Sequence, residues 1–277
     1  MKNDSYIYTF ELNLTIKMNL QLKNKTALIL SSSKGIGLGV AKALAKEKCK
    51  IIITSSNKKN ILKAQKEIQK NTNYKPEYIL MNLNSSTSVN KIIKFIVKKK
   101  IDILVVNSPG PIPVNIENLK INDLNKSINI NLINLIKIVQ KVIPNMKKNK
   151  FGRIINLAST TGKEPDEGMV LSNITRAAML AFSKTVSKEL SKYGITSNSI
   201  LTGGVMTERT KNLIKNDAKA LNKSYESILK QATKNIPAGF ISTPEQFANF
   251  IVFLCSPLSL YINGTSIPVD GGIMKSI

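Results

Sequence analysis

The chain of 277 residues has no histidine, no tryptophan and only two cysteines. Without histidine it lacks the commonest general base and the commonest metal ligand, so we expect catalysis without imidazole and no metal site. Cys49 and Cys255 lie far apart in the sequence and do not form the dense pattern of a secreted disulfide scaffold. We therefore expect free thiols and a cytoplasmic protein. No apolar run approaches the roughly 18 residues that span a bilayer, so no membrane association is expected.

Acidic residues are scarce as well, with 17 Asp and Glu against 41 Lys and Arg and a net charge of +24. Such a charge suits nucleic acid where cations cluster. Here the lysines are spread over almost every segment with no interleaved aromatic residues, so nucleic acid is not the expected partner. Arginine occurs only at positions 153, 176 and 209, which leaves 38 of the 41 basic residues as lysine.

Short β-branched runs alternate with longer helical periods, which predicts a single-domain α/β Rossmann fold, a doubly wound parallel sheet of seven strands with helices on both faces. The predicted strands are 26–30, 50–54, 77–81, 102–106, 153–158, 196–201 and 265–269. The predicted helices are 36–48, 58–70, 87–99, 120–147, 170–193 and 244–255. Residues 205–240 are polar and follow the carboxyl end of a strand, which favours a substrate lid. Residues 1–17 are interpreted as a disordered tail or a mis-assigned start, and residues 18–277 as the domain.

A glycine-rich turn, SSSKGIG at residues 31–37, follows the first predicted strand and opens a helix. Glycines there let the backbone approach a pyrophosphate, and the helix N-terminus supplies amide donors and a positive dipole end. About 20 residues further on, an acidic side chain would bind a free ribose 2′-hydroxyl. Residues 54–59, TSSNKK, contain hydroxyls and cations but no carboxylate. The sequence therefore predicts NADP(H) in preference to NAD(H).

Several segments resemble, in order, the motifs of the short-chain dehydrogenase/reductase family. The turn resembles TGxxxGIG, with Ser31 in place of the first glycine. DILVVNSPGP resembles DxLVNNAG, with Val106 in place of the first asparagine, and NSILTGGVMT resembles NxxxPGxxxT, with Thr202 in place of proline. The resemblance covers residues 18–277. It extends to an atypical subgroup commonly called 3-oxoacyl-carrier-protein reductases and to members that reduce conjugated precursors with NADPH.

The resemblance implies an NADP-dependent oxidoreductase acting on a small molecule, and a homodimer or homotetramer formed through the long fourth and fifth helices. It also implies where the cofactor binds: along the glycine-rich turn, at the ends of the following strands, on the catalytic helix and at the start of the lid. The implied cofactor residues are Ser31, Ser33, Lys34, Gly35, Ile36, Gly37, Ser55, Ser56, Asn57, Asn82, Leu83, Asn107, Arg176 and Thr207.

The catalytic residues depart from the family pattern, in which a serine, a tyrosine, a lysine and an asparagine reduce carbonyls. In register, Ser159 matches the serine and Asn131 the asparagine, but Ser172 and Arg176 stand where the tyrosine and the lysine belong. Their i, i+4 spacing keeps both on one helix face. A serine hydroxyl is a far weaker acid than a tyrosine beside an ammonium, and arginine stays protonated. Neither Ser172 nor Arg176 can therefore replace the tyrosine as the proton donor for ketone reduction.

Three functions remain open. Hydride addition to a conjugated C=C bond gives a delocalised enolate, which donors such as Ser159, Ser172 or Arg176 would hold. Alternatively, the chain is a catalytically silent nucleotide-binding protein, or a conventional 3-oxoacyl-carrier-protein reductase whose donor is Tyr225 or Lys163. An arginine at position 176 in a chain so rich in lysine, together with Asn131, Ser159, Thr207 and the glycine-rich turn, favours a working site. The neighbouring acids Glu164, Asp166 and Glu167 are expected to form a solvated loop; the alternatives are that they bind a substrate cation or pair with Arg176.

Overall fold

The computed structural model describes residues 18–276, in which seven parallel strands form one sheet in the order β3-β2-β1-β4-β5-β6-β7. The strands are β1 Thr26–Ile29, β2 Lys50–Ser55, β3 Glu77–Leu80, β4 Ile103–Val106, β5 Gly152–Leu157, β6 Ile195–Thr202 and β7 Ser266–Val269. The strand order reverses between β1 and β4, and sheets of this kind bind ligands at the carboxyl ends of the strands beside such a reversal. The predicted Rossmann fold is confirmed.

Helices cover both faces of the sheet, and each face has its own hydrophobic core. The helices are α1 Gly35–Lys46, α2 Lys58–Thr72, α3 Ser86–Val97, α4 Ile121–Ile128, α5 Asn134–Lys148, α6 Val170–Leu190, α7 Glu208–Ala220, α8 Tyr225–Lys234 and α9 Pro244–Leu254. Helices α1, α2 and α9 cover one face, and α3, α5 and α6 the other. Along β1, Ile29 packs into the first core and Leu28 into the second. Burial on both faces explains the continuous apolar runs of the strands.

The predicted helix 120–147 is present as one helical run from Ile121 to Lys148, within which a π-helical turn at Asn129–Ile133 separates α4 from α5. Inside this turn, Asn131 Nδ2 donates a hydrogen bond to the Ser127 carbonyl at 3.2 Å. A side-chain amide that takes a carbonyl of the preceding turn competes with the regular helical ladder, and π turns are frequent at functional sites. The π turn therefore contains Asn131, the residue that the sequence matches to the catalytic asparagine of the family.

The segment 205–240 contains α7 and α8, which pack on each other through Ile214, Ala218 and Ile228. Tyr225 is partly buried against the same small cluster. Within residues 18–276, no helix is long and apolar enough to cross a membrane. The two cysteines are buried and free, which confirms the prediction of free thiols. Residues 1–17, interpreted as a tail or a mis-assigned start, lie outside the described residues.

Candidate active site

The glycine-rich turn between β1 and α1 is built on tight backbone contacts. Ser31 has a left-handed backbone with φ of 47°, the conformation for which glycine is best suited. Its N–H donates to Thr54 Oγ1 at 2.8 Å, and its carbonyl accepts from Asn107 Nδ2 at 3.0 Å. A Cβ on Gly37 would lie 2.8 Å from that same carbonyl oxygen. Gly37 is thus required by close packing, and the structure places Asn107 as a support of the turn.

A cavity of about 480 Å³ lies beside this turn. The predicted cofactor residues that line it are Ser31, Ser33, Lys34, Ser55, Ser56, Asn57, Asn82 and Leu83. The others, Gly35, Ile36, Gly37, Asn107, Arg176 and Thr207, are not part of the lining. At the end of β2, Ser33 Oγ donates to Ser55 Oγ at 2.9 Å, and the Asn57 N–H donates to the same oxygen at 3.2 Å. This end of the cavity offers hydroxyls, an amide and the ammonium of Lys34.

Arg176 on α6 is buried, with 7% of its surface exposed. Its Nη1 donates to the Leu157 carbonyl at 3.3 Å and to Ser108 Oγ at 3.4 Å, and Ser108 Oγ donates to Asn131 Oδ1 at 2.8 Å. Burial, and secondarily the nearby Arg209, lower the pKa of Arg176 to about 10. The structure therefore joins the predicted residues Asn131 and Arg176 through Ser108. The sequence did not single out Ser108, although it follows Asn107 at the end of β4.

The acidic loop does not pair with Arg176. Among residues 18–276, no carboxylate forms a salt bridge with this guanidinium, and its Nε is buried without a hydrogen-bond partner. Glu164 instead accepts hydrogen bonds from Ser276 and from the Lys275 N–H, and the bonds from Ser276 contribute most to holding its pKa below the usual value. Asp166 and Glu167 are exposed. The alternative in which these acids are partners of Arg176 is wrong.

Three hydroxyls lie together after β5. Ser159 precedes a short 3-10 helix, Thr160–Gly162, and its Oγ accepts from the Thr161 N–H at 3.3 Å and from Thr161 Oγ1 at 3.2 Å. Thr161 Oγ1 also lies 2.9 Å from Ser172 Oγ on α6. The predicted residues Ser159 and Ser172 are thus connected through Thr161. Sequence reasoning missed Thr161, because nothing in the spacing distinguishes it from the neighbouring threonine.

The start of the segment 205–240 lies over the glycine-rich turn. A Cβ on Gly35 would be 3.1 Å from Thr207 Cγ2, which places Thr207 directly above the turn. Two residues later, Arg209 Nη1 donates to the Gly110 carbonyl at 3.0 Å and Nη2 to the Pro111 carbonyl at 3.1 Å. The loop after β4 forms part of the cavity wall. Arg209 therefore ties α7 to the wall of the cavity.

The strand order, the glycine-rich turn and the polar cluster beyond β4 and β5 define a Rossmann-type protein with a site at the switch point of its sheet. The family model described as enoyl-(acyl carrier protein) reductase matches residues 30–274. The chain therefore belongs to the short-chain dehydrogenase/reductase family of oxidoreductases, and the resemblance found in the sequence is confirmed.

Similar proteins include reductases of two kinds. The NADPH-dependent reductase BacG of Bacillus subtilis is 32% identical over 178 residues, which cover 64% of this chain and 69% of BacG. The 3-oxoacyl-[acyl-carrier-protein] reductase FabG of Aquifex aeolicus is 30% identical over 225 residues, covering 80% of this chain and 86% of FabG. The crystal structure of YwfH, an NADPH-dependent reductase involved in bacilysin biosynthesis, superposes with a TM-score of 0.86 at 28% identity, covering 92% and 100% of the two chains.

Proposed function

We propose that this protein is an NADP(H)-dependent reductase whose acceptor is a conjugated enone in preference to an isolated ketone. One observation carries the proposal: the positions of the family's tyrosine and lysine are filled by Ser172 and Arg176, both buried and hydrogen-bonded. These residues supply hydrogen-bond donors and positive charge. They do not supply an acid suited to protonating an alkoxide near neutral pH.

The cavity and the turn account for the cofactor. Amide groups of the glycine-rich turn and the N-terminus of α1 suit a pyrophosphate. At the end of β2, the hydroxyls of Ser55 and Ser56, the Asn57 amide and the Lys34 ammonium suit a ribose 2′-phosphate. The NADPH dependence named for BacG and YwfH supports the same choice. Arg176, in the lysine position, is proposed to serve the nicotinamide ribose, although its guanidinium lies outside the cavity lining.

Bound NADPH supplies the hydride. Addition at the β-carbon of an enone shifts the C=C electron pair toward the carbonyl, and the enolate that forms takes its α-proton from water. The negative charge develops on the carbonyl oxygen, where donors fixed in advance lower the barrier. Ser159 is partly exposed and Arg176 provides a buried positive charge nearby. Because its pKa of about 10 is well above neutrality, Arg176 stays positively charged throughout the reaction at neutral pH.

We further propose that residues 205–240 act as the substrate lid of a domain formed by residues 18–277. The hydrogen bonds of Arg209 to the loop after β4 support a lid that rests on the site. Assembly as a homodimer or homotetramer remains part of the proposal, because such assembly is common in the family. Light scattering on the purified protein measures its molar mass and therefore the number of subunits.

The test uses two acceptors with the same carbon skeleton. Benzylideneacetone is an enone, and benzylacetone is the corresponding saturated ketone. We expect NADPH fluorescence titration to show binding, and NADPH oxidation to occur with benzylideneacetone and yield benzylacetone as the only product. Reduction of benzylacetone or of an acetoacetyl thioester to an alcohol would instead support a conventional carbonyl reductase. Binding without oxidation would support a silent nucleotide-binding protein, and absence of binding would reject both.

A gain-of-function variant tests the role of the two replaced positions. The double variant Ser172→Tyr, Arg176→Lys restores the acid and its ammonium neighbour, so we expect it to reduce benzylacetone while the wild type does not. Arg176→Lys alone is the matched control, because it introduces the ammonium without the acid. If the double variant binds NADPH but remains inert toward simple ketones, the replaced pair is not what determines the choice of acceptor.

A further inference from the structure

We propose that Thr161 is a positioning residue that orders the hydroxyls of Ser172 and Ser159 into a one-way hydrogen-bond chain, so that the Ser159 proton is directed at the substrate oxygen. In this arrangement Ser172 does not touch the substrate, although it occupies the position of the family's tyrosine. The inference rests on the proposed function for the identity of the oxygen. The order of the hydroxyls rests on the contacts among Ser159, Thr161 and Ser172 and on the single proton that each hydroxyl can donate, and not on the proposed function.

The first step concerns Ser159. A hydroxyl has one proton to donate and two lone pairs that accept. Ser159 Oγ accepts from both the N–H and the Oγ1 of Thr161, at 3.3 and 3.2 Å, so both lone pairs are used. Its own proton meets no acceptor among the described hydrogen bonds of residues 18–276. Since Ser159 is partly exposed at the end of β5, this proton is available to a ligand.

The second step concerns the direction of the contact between Thr161 and Ser172. Thr161 has a single hydroxyl proton, and that proton is donated to Ser159. Either oxygen could donate in the 2.9 Å contact between Thr161 Oγ1 and Ser172 Oγ, so both contacts of Thr161 form together only when Ser172 is the donor there. Thr161 and Ser172 are each only 4% exposed, so neither is placed to meet a ligand directly. The proton of Ser172 is directed into the chain and away from the substrate.

The third step is the effect of the chain on an oxyanion. Hydroxyls that donate in sequence polarise one another and strengthen each bond by roughly 10–30%. When negative charge develops on an oxygen that accepts from Ser159, Thr161 and Ser172 each reinforce that donor. The chain thereby stabilises the charge without transferring a proton, which matches an enolate and does not match an alkoxide that needs protonation.

The experiment compares Thr161→Val, which keeps the branched shape but removes the hydroxyl, with Thr161→Ser, which keeps the hydroxyl. The probe is p-nitrophenolate, whose charged oxygen is a stable substitute for an enolate oxygen, titrated into the protein saturated with NADP⁺. We expect Thr161→Val to weaken phenolate binding about fivefold, equivalent to about 1 kcal/mol, because it removes the hydrogen bond between two neutral hydroxyls that orders Ser159. Thr161→Ser should stay within about twofold of the wild type. NADPH affinity should be equal in all three proteins.

Turnover provides a second readout. With benzylideneacetone, Thr161→Val should lower kcat by about the same factor as phenolate affinity and leave KM nearly unchanged, because the chain acts on the charge that develops during reaction. Ser172→Ala removes only the first donor of the chain, so its effect should be in the same direction and about threefold. This variant also keeps the test decisive if Thr161→Val fails to fold, which thermal melting detects.

Several results would overturn the inference. Unchanged phenolate binding in Thr161→Val, no rescue by Thr161→Ser, or a larger loss from Ser172→Ala than from Thr161→Val would each contradict the chain. Absence of phenolate binding by the wild type would do the same. A different outcome separates this inference from the proposed function. If phenolate binding depends on Thr161 but none of the enones tested is reduced by NADPH, the hydrogen-bond chain is supported and the proposed function is rejected.

Discussion

Replacement of Gly37 by alanine should damage both the stability of the protein and its affinity for NADPH. The new Cβ would lie 2.8 Å from the Ser31 carbonyl oxygen, 2.8 Å from Ser32 Cα and 2.9 Å from Asn107 Nδ2. Two of these atoms belong to the backbone, so the contact is relieved only if the turn moves. Forcing extra volume into a packed site costs about 1–3 kcal/mol. The better helix propensity of alanine offsets about 1 kcal/mol of that.

We therefore expect Gly37→Ala to lower the free energy of unfolding by up to about 2 kcal/mol. Because the turn that moves is the one expected to approach the pyrophosphate, NADPH affinity should fall at least about tenfold, equivalent to about 1.4 kcal/mol. Urea unfolding measures the first quantity and fluorescence titration the second.

Gly39→Ala is the matched control. A Cβ on Gly39 would lie 2.7 Å from the Pro244 carbonyl oxygen at the start of α9, away from the cavity. It should therefore destabilise the protein by a similar amount, up to about 2 kcal/mol. NADPH affinity should stay within about twofold of the wild type, since the turn is undisturbed. Equal losses of affinity in both variants, or normal affinity in a destabilised Gly37→Ala protein, would refute the reasoning.

Three further predictions concern local features. Ser31→Gly should raise the free energy of unfolding in urea by about 0.5–1 kcal/mol, because it relieves a left-handed serine at some entropic cost; a lower stability would contradict this. Arg209→Lys, which loses the paired bonds to two carbonyls, should make segment 205–240 several-fold more sensitive to limited proteolysis, while global stability changes by less than about 0.5 kcal/mol. Burial raises the pKa of the Cys49 thiol to about 12 and also raises that of Cys255, so neither should react with a disulfide reagent at pH 8 until the protein is unfolded; fast labelling of the native protein would contradict their burial.

The sequence predicted the sheet well because its strands are buried on both faces. A run such as Ala27 to Leu30 is apolar and buried throughout, and β4 likewise buries all four of its residues, whereas none of the described helices buries four consecutive residues. The π turn between α4 and α5 was not predictable from periodicity. It depends on whether the Asn131 amide bonds to the Ser127 carbonyl or to solvent, which tertiary packing decides.

The candidate site divides in the same way. The glycine-rich turn and the polar end of β2 were recognisable because they are contiguous in the sequence and follow a strand directly. Ser108 and Thr161 could not be predicted from the sequence, because their roles depend on distant partners. Ser108 accepts from Arg176, 68 residues away, and Thr161 contacts Ser172, 11 residues away. Ordinary serines and threonines become site residues only when the fold brings such partners within hydrogen-bond distance.

The scarcity of arginine connects composition to the site. Each of the three arginines donates to at least two acceptors: Arg153 to the carbonyls of residues 152, 194 and 256, Arg209 to two carbonyls, and Arg176 to a carbonyl and a hydroxyl. A planar guanidinium can divide its donors among separate acceptors, whereas an ammonium is a compact point charge. Arg153 and Arg209 thereby support the fold and the segment over the site. Arg176 differs in that its Nε is buried without a hydrogen-bond partner, while none of the three guanidiniums forms a salt bridge with a carboxylate of residues 18–276. An unsatisfied buried donor costs about 1–3 kcal/mol, so the fold keeps Arg176 at this position at a cost in stability.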